Sequence, residues 1–285
     1  MMDNLENMKK AIDYIEENLA GEIEYPKIAQ IALCSQYHFK RMFVFLIGIP
    51  LSEYIRRRRL TLAALDLQNT DDKVIDIAVK YGYSSADAFS RAFQGMHAVT
   101  PSQARKKDVR LKVQPRVSFT LSLKGVIEMN YRIVEKKAFS IVGIKERFSY
   151  VEDLGASVGK MWNSVSEKLM VKLLPLANAE PGGLVGAYSE MYEDNTTDYY
   201  IGVITTEDCP ADFVKLDIAA QTWAVFEIEG ALPTAMSEIW GRIFSEFFPT
   251  TDYQHTPSPE IEWYSQGDMS SSTYKSEIWI PIEKK

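Results

Sequence analysis

Two sets of residues in this chain have the types and spacing for chemistry. The first is the run Glu260-Ile261-Glu262-Trp263-Tyr264. Alternation along a strand would place Glu262 and Tyr264 on one face and Ile261 and Trp263 on the other. A carboxylate beside aromatic faces holds organic cations by charge pairing and cation–π attraction. The competing reading is a surface strand with an exposed glutamate. The second set lies in 85–93, where Ala88, Phe89, Ala92 and Phe93 form an apolar stripe at helical spacing. Ser85, Asp87, Ser90 and Arg91 are then left facing outward, where they could reach the base edges of DNA. Other chemistries lack their residues. Cys34 and Cys209 are far apart with no metal-ligand spacing, so they are expected to be buried structural thiols, with no metal site and no disulfide. His38, His97 and His255 are isolated, and no Ser-His-Asp set presents itself. No cofactor is expected.

The elements that must position these residues differ along the chain. From Leu5 to Ser102 the apolar residues recur at helical spacing. Pro26, Pro50, Gly82 and Thr100-Pro101 mark the breaks, and the pattern predicts helices near 4–19, 26–32, 36–46, 51–68, 73–81, 86–96 and 101–107. Within them one layout occurs twice: a short helix carrying Ile-Ala, a turn, then an amphipathic helix, at Ile28-Ala29 to Phe43 and Ile77-Ala78 to Phe93. Gly82 can take the positive φ of a tight helix–helix turn. A lone helix-turn-helix is usually only a helical hairpin. Two copies joined by the helical stretch 51–67, about 25 Å long, can set two recognition helices roughly 34 Å apart, one turn of B-DNA. The tetrad Arg56 to Arg59 points around its helix and reads as a solvated face with one structural ion pair through Arg59, some of it available to phosphates.

The pattern breaks up between Asp108 and Glu128, and β-rich runs follow at 130–135, 139–148, 184–189, 199–206, 213–216, 221–229, 260–265 and 276–282. Amphipathic helices are predicted near 155–173 and 234–248. Strand, strand, helix, strand, strand therefore occurs twice, which reads as an internal duplication.

The 285 residues suit two domains, and charge separates them. Residues 1–116 hold 18 Lys and Arg against 14 Asp and Glu, and the remainder 14 against 25. That gives +4 beside −11, as expected when only one part meets a polyanion. The N-terminus has no apolar core, and the longest apolar run, Met42 to Leu51, is too short to span a bilayer, so a cytoplasmic protein without a membrane partner is expected.

The residues from Leu5 to Arg105 resemble the AraC/XylS transcription regulators. The match rests on Ile77-Ala78, Gly82-Tyr83-Ser84, Phe89-Ser90-Arg91-Ala92-Phe93 and Thr100-Pro101 ahead of Arg105, with Tyr54-Ile55-Arg56, Arg59-Leu60 and Ala63 earlier. The resemblance implies base reading by Tyr37, Lys40 and Arg41 on the first recognition helix, and by Asp87, Ser90 and Arg91 on the second. It departs at Leu33, where the first turn often has Gly and is expected to be distorted, and at Ala98. The residues from Glu128 to Glu283 resemble the GyrI-like effector-binding domain. The anchors are Ala138 to Gly143, the helices around Trp162 and Trp240, Gly186-Ala187-Tyr188, Trp223 to Phe226, Glu262-Trp263-Tyr264 and Glu277 to Pro281. This resemblance implies two βαββ-type halves of the SHS2 type with a ligand cleft between them, Glu262 as the pocket glutamate, and Tyr188, Trp223, Tyr264 and Trp162 beside it.

The expected architecture is multidomain: an all-α double helix-turn-helix domain (1–108), a linker (109–127) and an α+β effector domain (128–285). The expected function is a ligand-responsive regulator, an activator by the resemblance, with no enzymatic activity. It would bind double-stranded promoter DNA as a monomer and a cationic or lipophilic small-molecule effector, with RNA polymerase as a protein partner. The alternatives are a C-terminal hydrolase of small electrophiles, with Glu262 as base, or a drug-sequestering module.

Overall fold

A computed structural model describes residues 2–106, 108–118, 128–151, 154–189 and 191–285. The chain divides into two compact units, one helical and one built on a sheet. Of the stretch read as a linker, 119–127 lie outside the described residues.

The helical unit contains α1 (Met2–Glu17), α2 (Tyr25–Ala32), α3 (Gln36–Ile47), α4 (Leu51–Asn69), α5 (Val74–Lys80), α6 (Ala86–His97) and α7 (Pro101–Ala104). Pro26 and Pro101 sit in the first turns of α2 and α7, where a missing N–H costs nothing. The two helix-turn-helix units are α2–α3 and α5–α6. Their turns carry the same pair of backbone hydrogen bonds: Leu33 N–H to Gln30 O and Cys34 N–H to Ala29 O in the first, Gly82 N–H to Val79 O and Tyr83 N–H to Ala78 O in the second. The first turn is thus well formed, against the expected distortion, because Leu33 itself adopts φ +53° with its side chain in solvent. Ala98, at φ +61°, likewise takes the left-handed position that ends α6. Ser35 and Ser85 then start the second helices, their hydroxyls accepting from the N–H groups of His38 and Ala88. From the alanine of the Ile-Ala pair to the capping serine the second unit is one residue longer than the first (Ala78 to Ser85 against Ala29 to Ser35), so Tyr37, Lys40 and Arg41 correspond to Asp87, Ser90 and Arg91.

Between the units runs α4, nineteen residues long and about 28 Å at 1.5 Å per residue. Its arginines are mostly committed within the fold. Arg56 and Arg57 bind Glu53, and Arg58 binds Glu16, whose carboxylate also accepts from the Tyr54 hydroxyl. The structural pair therefore runs through Arg58. Arg59, expected to carry it, donates instead to the Leu19 and Gly21 carbonyls and lies against Gly82, where a Cβ would stand 2.9 Å from its guanidinium. Leu60, Ala63, Ala64 and Leu67 of α4 pack with Ile77, Ala78, Phe89 and Phe93 into one core. The extended stretch after α7 lies on these helices: Gln114 N–H donates to Thr61, Val117 N–H donates to Tyr54, and Arg116 pairs with Asp13.

The second unit contains β1 (Tyr131–Lys136), β2 (Phe139–Ser149), α8 (Leu154–Ser164), α9 (Glu167–Leu173), β3 (Leu184–Tyr188), β4 (Thr196–Thr205), β5 (Val214–Ile218), β6 (Gln221–Glu229), α10 (Thr234–Arg242) with a π-helical turn Ile243–Phe247, α11 (Phe248–Thr250), β7 (Tyr253–His255), β8 (Glu260–Tyr264) and β9 (Lys275–Lys284). The helix predicted across 155–173 is two helices, because the Ser166 hydroxyl caps a new start by accepting from Leu169 N–H. The three-residue β7 is too short to show a period and was not foreseen. Cys34 and Cys209, expected to be buried, are only half-buried.

All strand pairs are antiparallel, in the order β1-β6-β9-β8-β3-β4-β2-β5 with β7 beside β9. Exchanging β1 with β5, β2 with β6, β3 with β8 and β4 with β9 reverses this order without changing it. The sheet therefore has a pseudo-twofold axis, and the first strand of each half pairs with the other half. The axis passes through the central β3–β8 pair, where Gly186 faces Glu262. Among the described residues no helix is long and apolar enough to cross a membrane.

Candidate functional site

Period-two alternation sends Glu262 and Tyr264 to the face of the sheet that also carries Tyr188 and Tyr199. Glu262 is buried, and its carboxylate holds three donors: Trp240 Nε1–H at 2.7 Å to Oε1, and the hydroxyls of Tyr264 and Tyr199 at 2.8 and 3.0 Å to Oε2. Trp162 Nε1–H donates to the Tyr199 hydroxyl at 2.9 Å, which fixes that hydroxyl towards the carboxylate. The rings meet one another: Trp162 stands edge-on to Tyr264 with centroids 4.7 Å apart, and Tyr188 contacts Tyr199 at 4.5 Å and Trp240 at 6.4 Å.

The pseudo-twofold explains this arrangement. It relates Tyr188 on β3 to Tyr264 on β8, and α8 with Trp162 to α10 with Trp240, so two tyrosines and two tryptophans surround the axis as pairs. Symmetry breaks at the centre. Glu262 stands opposite Gly186, and a Cβ on Gly186 would lie 2.0 Å from the Tyr199 hydroxyl. The glycine thus admits the tyrosine that reaches across to the glutamate.

Burial raises the carboxyl pKa of Glu262 above its usual value, although the three hydrogen bonds favour the anion. Burial, together with the neighbouring carboxylate, also drives Tyr188 and Tyr264 far up, so both stay neutral hydroxyls. Among the described residues no Lys or Arg pairs with Glu262, and its anion is solvated by neutral dipoles alone. An isolated buried charge is costly, and a positive ligand would offset that cost.

Glu262, Tyr264, Tyr188 and Trp162 thus come together. Trp223 does not. It lies on the opposite face of β6, fully buried between Phe139 and Trp279, because its position in the alternation matches Ile261 and Val185 rather than Glu262. Tyr199 and Trp240 are contacts that the residue pattern alone did not single out. Tyr199 sits in a strand buried along nearly its whole length, and only its register with Tyr188 shows where its hydroxyl goes.

On α6, Ser85, Asp87 and Arg91 are exposed and Ser90 is half-buried. Ser85 also serves as the helix cap. On α3, Tyr37 and Lys40 are half-buried, and the Lys40 ammonium stands 5.2 Å over the Tyr25 ring. Arg41 is only 1% exposed, which contradicts an outward, base-reading position in this structure. Its neighbours His38, Phe39, Met42, Phe43 and Val44 are buried as well, so packing covers α3 on nearly every side and leaves only Gln36 exposed. Arg105 serves as a staple, its guanidinium donating to the carbonyls of Thr70 and Asp72 just past α4.

Comparison with known proteins accords with both parts. Residues 129–283 match the GyrI-like small molecule binding domain, and residues 28–107 match a helix-turn-helix domain. The chain is 38% identical over 109 residues to the HTH-type transcriptional activator AarP of Providencia stuartii, covering 37% of this chain and 81% of that protein. It is 34% identical over 106 residues to the regulatory protein SoxS of Salmonella typhimurium, covering 37% of this chain and 99% of that protein. The structure of SAV2435 bound to tetraphenylphosphonium superposes with a TM-score of 0.50 at 23% identity, over 54% of this chain and 94% of that one, which establishes a shared fold. The chain therefore belongs to the AraC-type helix-turn-helix regulators and carries a C-terminal domain of the GyrI-like small-molecule-binding family.

Proposed function

We propose that this protein regulates transcription in response to an organic, lipophilic cation held at Glu262. The observation that carries the reading is a buried carboxylate with three neutral donors and, among the described residues, no protein cation, ringed by Trp162, Trp240, Tyr188 and Tyr264. Such a box supplies charge and π faces together. Tetraphenylphosphonium, the ligand of the SAV2435 structure, is a suitable probe. Calorimetry is expected to give saturable binding that Glu262→Gln weakens by about tenfold or more, the worth of a lost buried ion pair. Unchanged affinity would place the ligand elsewhere.

DNA is read by α6 through Asp87, Ser90 and Arg91, with Ser85 at its start, while Tyr37, Lys40 and Arg41 of α3 form the second contact once Arg41 is uncovered. Residues 1–108 act as the DNA-binding domain, 109–127 as the connection and 128–285 as the effector domain. The protein acts as a monomeric activator in the cytoplasm and engages RNA polymerase at promoters. Arg91→Ala is expected to weaken binding to DNA from upstream of its own gene by about tenfold or more, as for the loss of one bidentate base contact. A gel-shift showing equal affinity would remove α6 from the interface. Glu262 takes no part in hydrolysis in this reading, because its oxygens are occupied by donors that anchor it for binding.

A further inference from the structure

On the face of the sheet away from Glu262 lies a separate groove of about 370 Å³, walled by β1, β8, β9 and the loop through Glu180 and Gly182. Its two tryptophans are held in place by their indole N–H groups. Trp263 donates to Gly182 O at 2.6 Å, and Trp279 donates to Glu277 at 2.7 Å. Trp279 is buried under the Lys136 ammonium, 5.3 Å from its ring centroid, whereas Trp263 is half-buried and offers part of its surface to the groove. The charges divide into committed and uncommitted. Arg132 is clamped between Glu227 and Glu277, so its own charge is committed and that group keeps one net negative charge. Lys136 and Glu180 line the same groove, yet among the described residues neither has an ion-pair partner, and they do not pair with each other.

We propose that this groove is a second small-molecule site, for an aromatic zwitterion of amino-acid size. Its aromatic ring lies on Trp263, its carboxylate meets Lys136, and its ammonium meets Glu180. The volume falls within the range of small-molecule pockets. Immobilised indoles pay little ordering entropy when a ring stacks on them. Two opposite charges held apart in one groove favour a ligand carrying both over a ligand carrying either one. The site is independent of the Glu262 box, because residues 262 and 263 alternate to opposite faces.

The test is calorimetry on the full chain with three probes: L-tryptophan, tryptamine, which lacks the carboxylate, and indole-3-acetate, which lacks the ammonium. L-Tryptophan is expected to bind one-to-one and about fivefold or more tighter than either analogue, the scale of one partly exposed ion pair. Lys136→Met should weaken L-tryptophan and indole-3-acetate while sparing tryptamine, and Glu180→Gln should weaken L-tryptophan and tryptamine while sparing indole-3-acetate. Neither substitution should move tetraphenylphosphonium affinity or the melting temperature. Absence of saturable binding by all three probes would overturn the proposal. So would L-tryptophan binding that ignores both substitutions, or that Glu262→Gln abolishes.

Discussion

In the proposed reading the chemistry of the C-terminal domain is concentrated in one carboxylate, and its ionisation should be visible in binding. Glu262 has its pKa raised chiefly by burial. A cation requires the anionic form, so affinity for tetraphenylphosphonium should rise with pH through the elevated pKa, above the ordinary value of 4.5, and then level off. In Glu262→Gln that rise should disappear, which a calorimetric pH series would check. The sign for folding is the opposite. A carboxyl whose folded pKa lies above its unfolded value makes no contribution at low pH and costs stability as pH rises through that interval. The wild type should therefore lose stability over the window relative to Glu262→Gln. At this scale the sequence was legible where alternation is regular: the segregation of Glu262 and Tyr264 from Ile261 and Trp263 follows from period two alone. It was not legible at Tyr199, Gly186 and Trp240, whose roles depend on which strands and helices become neighbours.

Among the elements, the first helix-turn-helix shows how a turn tolerates an unfavourable residue. Leu33 holds φ +53° with its side chain 65% exposed, so its side chain contributes little packing while its backbone carries left-handed strain. Leu33→Gly should therefore stabilise the helical unit by about 0.5–1 kcal/mol, since left-handed backbone costs a non-glycine residue roughly 1–2 kcal/mol and glycine gives back part of that in chain entropy. Thermal unfolding of the variant would settle it, and a lower melting temperature would show that the side chain matters after all. The turn hydrogen bonds at Leu33 and Gly82 are the same in kind. The expected distortion failed because the fold imposes the conformation and a single residue's preference is too weak to refuse it. Arg59 is a similar case. Four consecutive arginines announced a charged helix, but which of them would find Glu16, Glu53 or a carbonyl depended on what α4 packs against.

Across the whole molecule, the charge asymmetry predicts two different salt responses. DNA binding by the N-terminal part, whose residues 1–116 carry +4, should weaken steeply with salt, because each phosphate neutralised releases counterions. Cation binding at buried Glu262 should change far less, since low-dielectric pairs are poorly screened. Titrations of DNA and of tetraphenylphosphonium at about 50 and about 200 mM salt, a range over which counterion release is large, would test this; equal salt slopes would contradict the split. The duplication was also readable from element order, as strand, strand, helix, strand, strand repeated. By itself the sequence determined the two helix-turn-helix units, the change from period 3.6 to period two near residue 130, the opposite charges of the two parts and the face on which Glu262 lies. These are local properties, fixed by spacing and composition. Tertiary structure alone decided the exchange of edge strands between the halves, the placing of Glu262 and Gly186 on the pseudo-twofold axis, the exclusion of Trp223 to the other face and the burial of Arg41. Each depends on contacts between residues distant in the chain, where many pairings satisfy the same local pattern and only packing selects one.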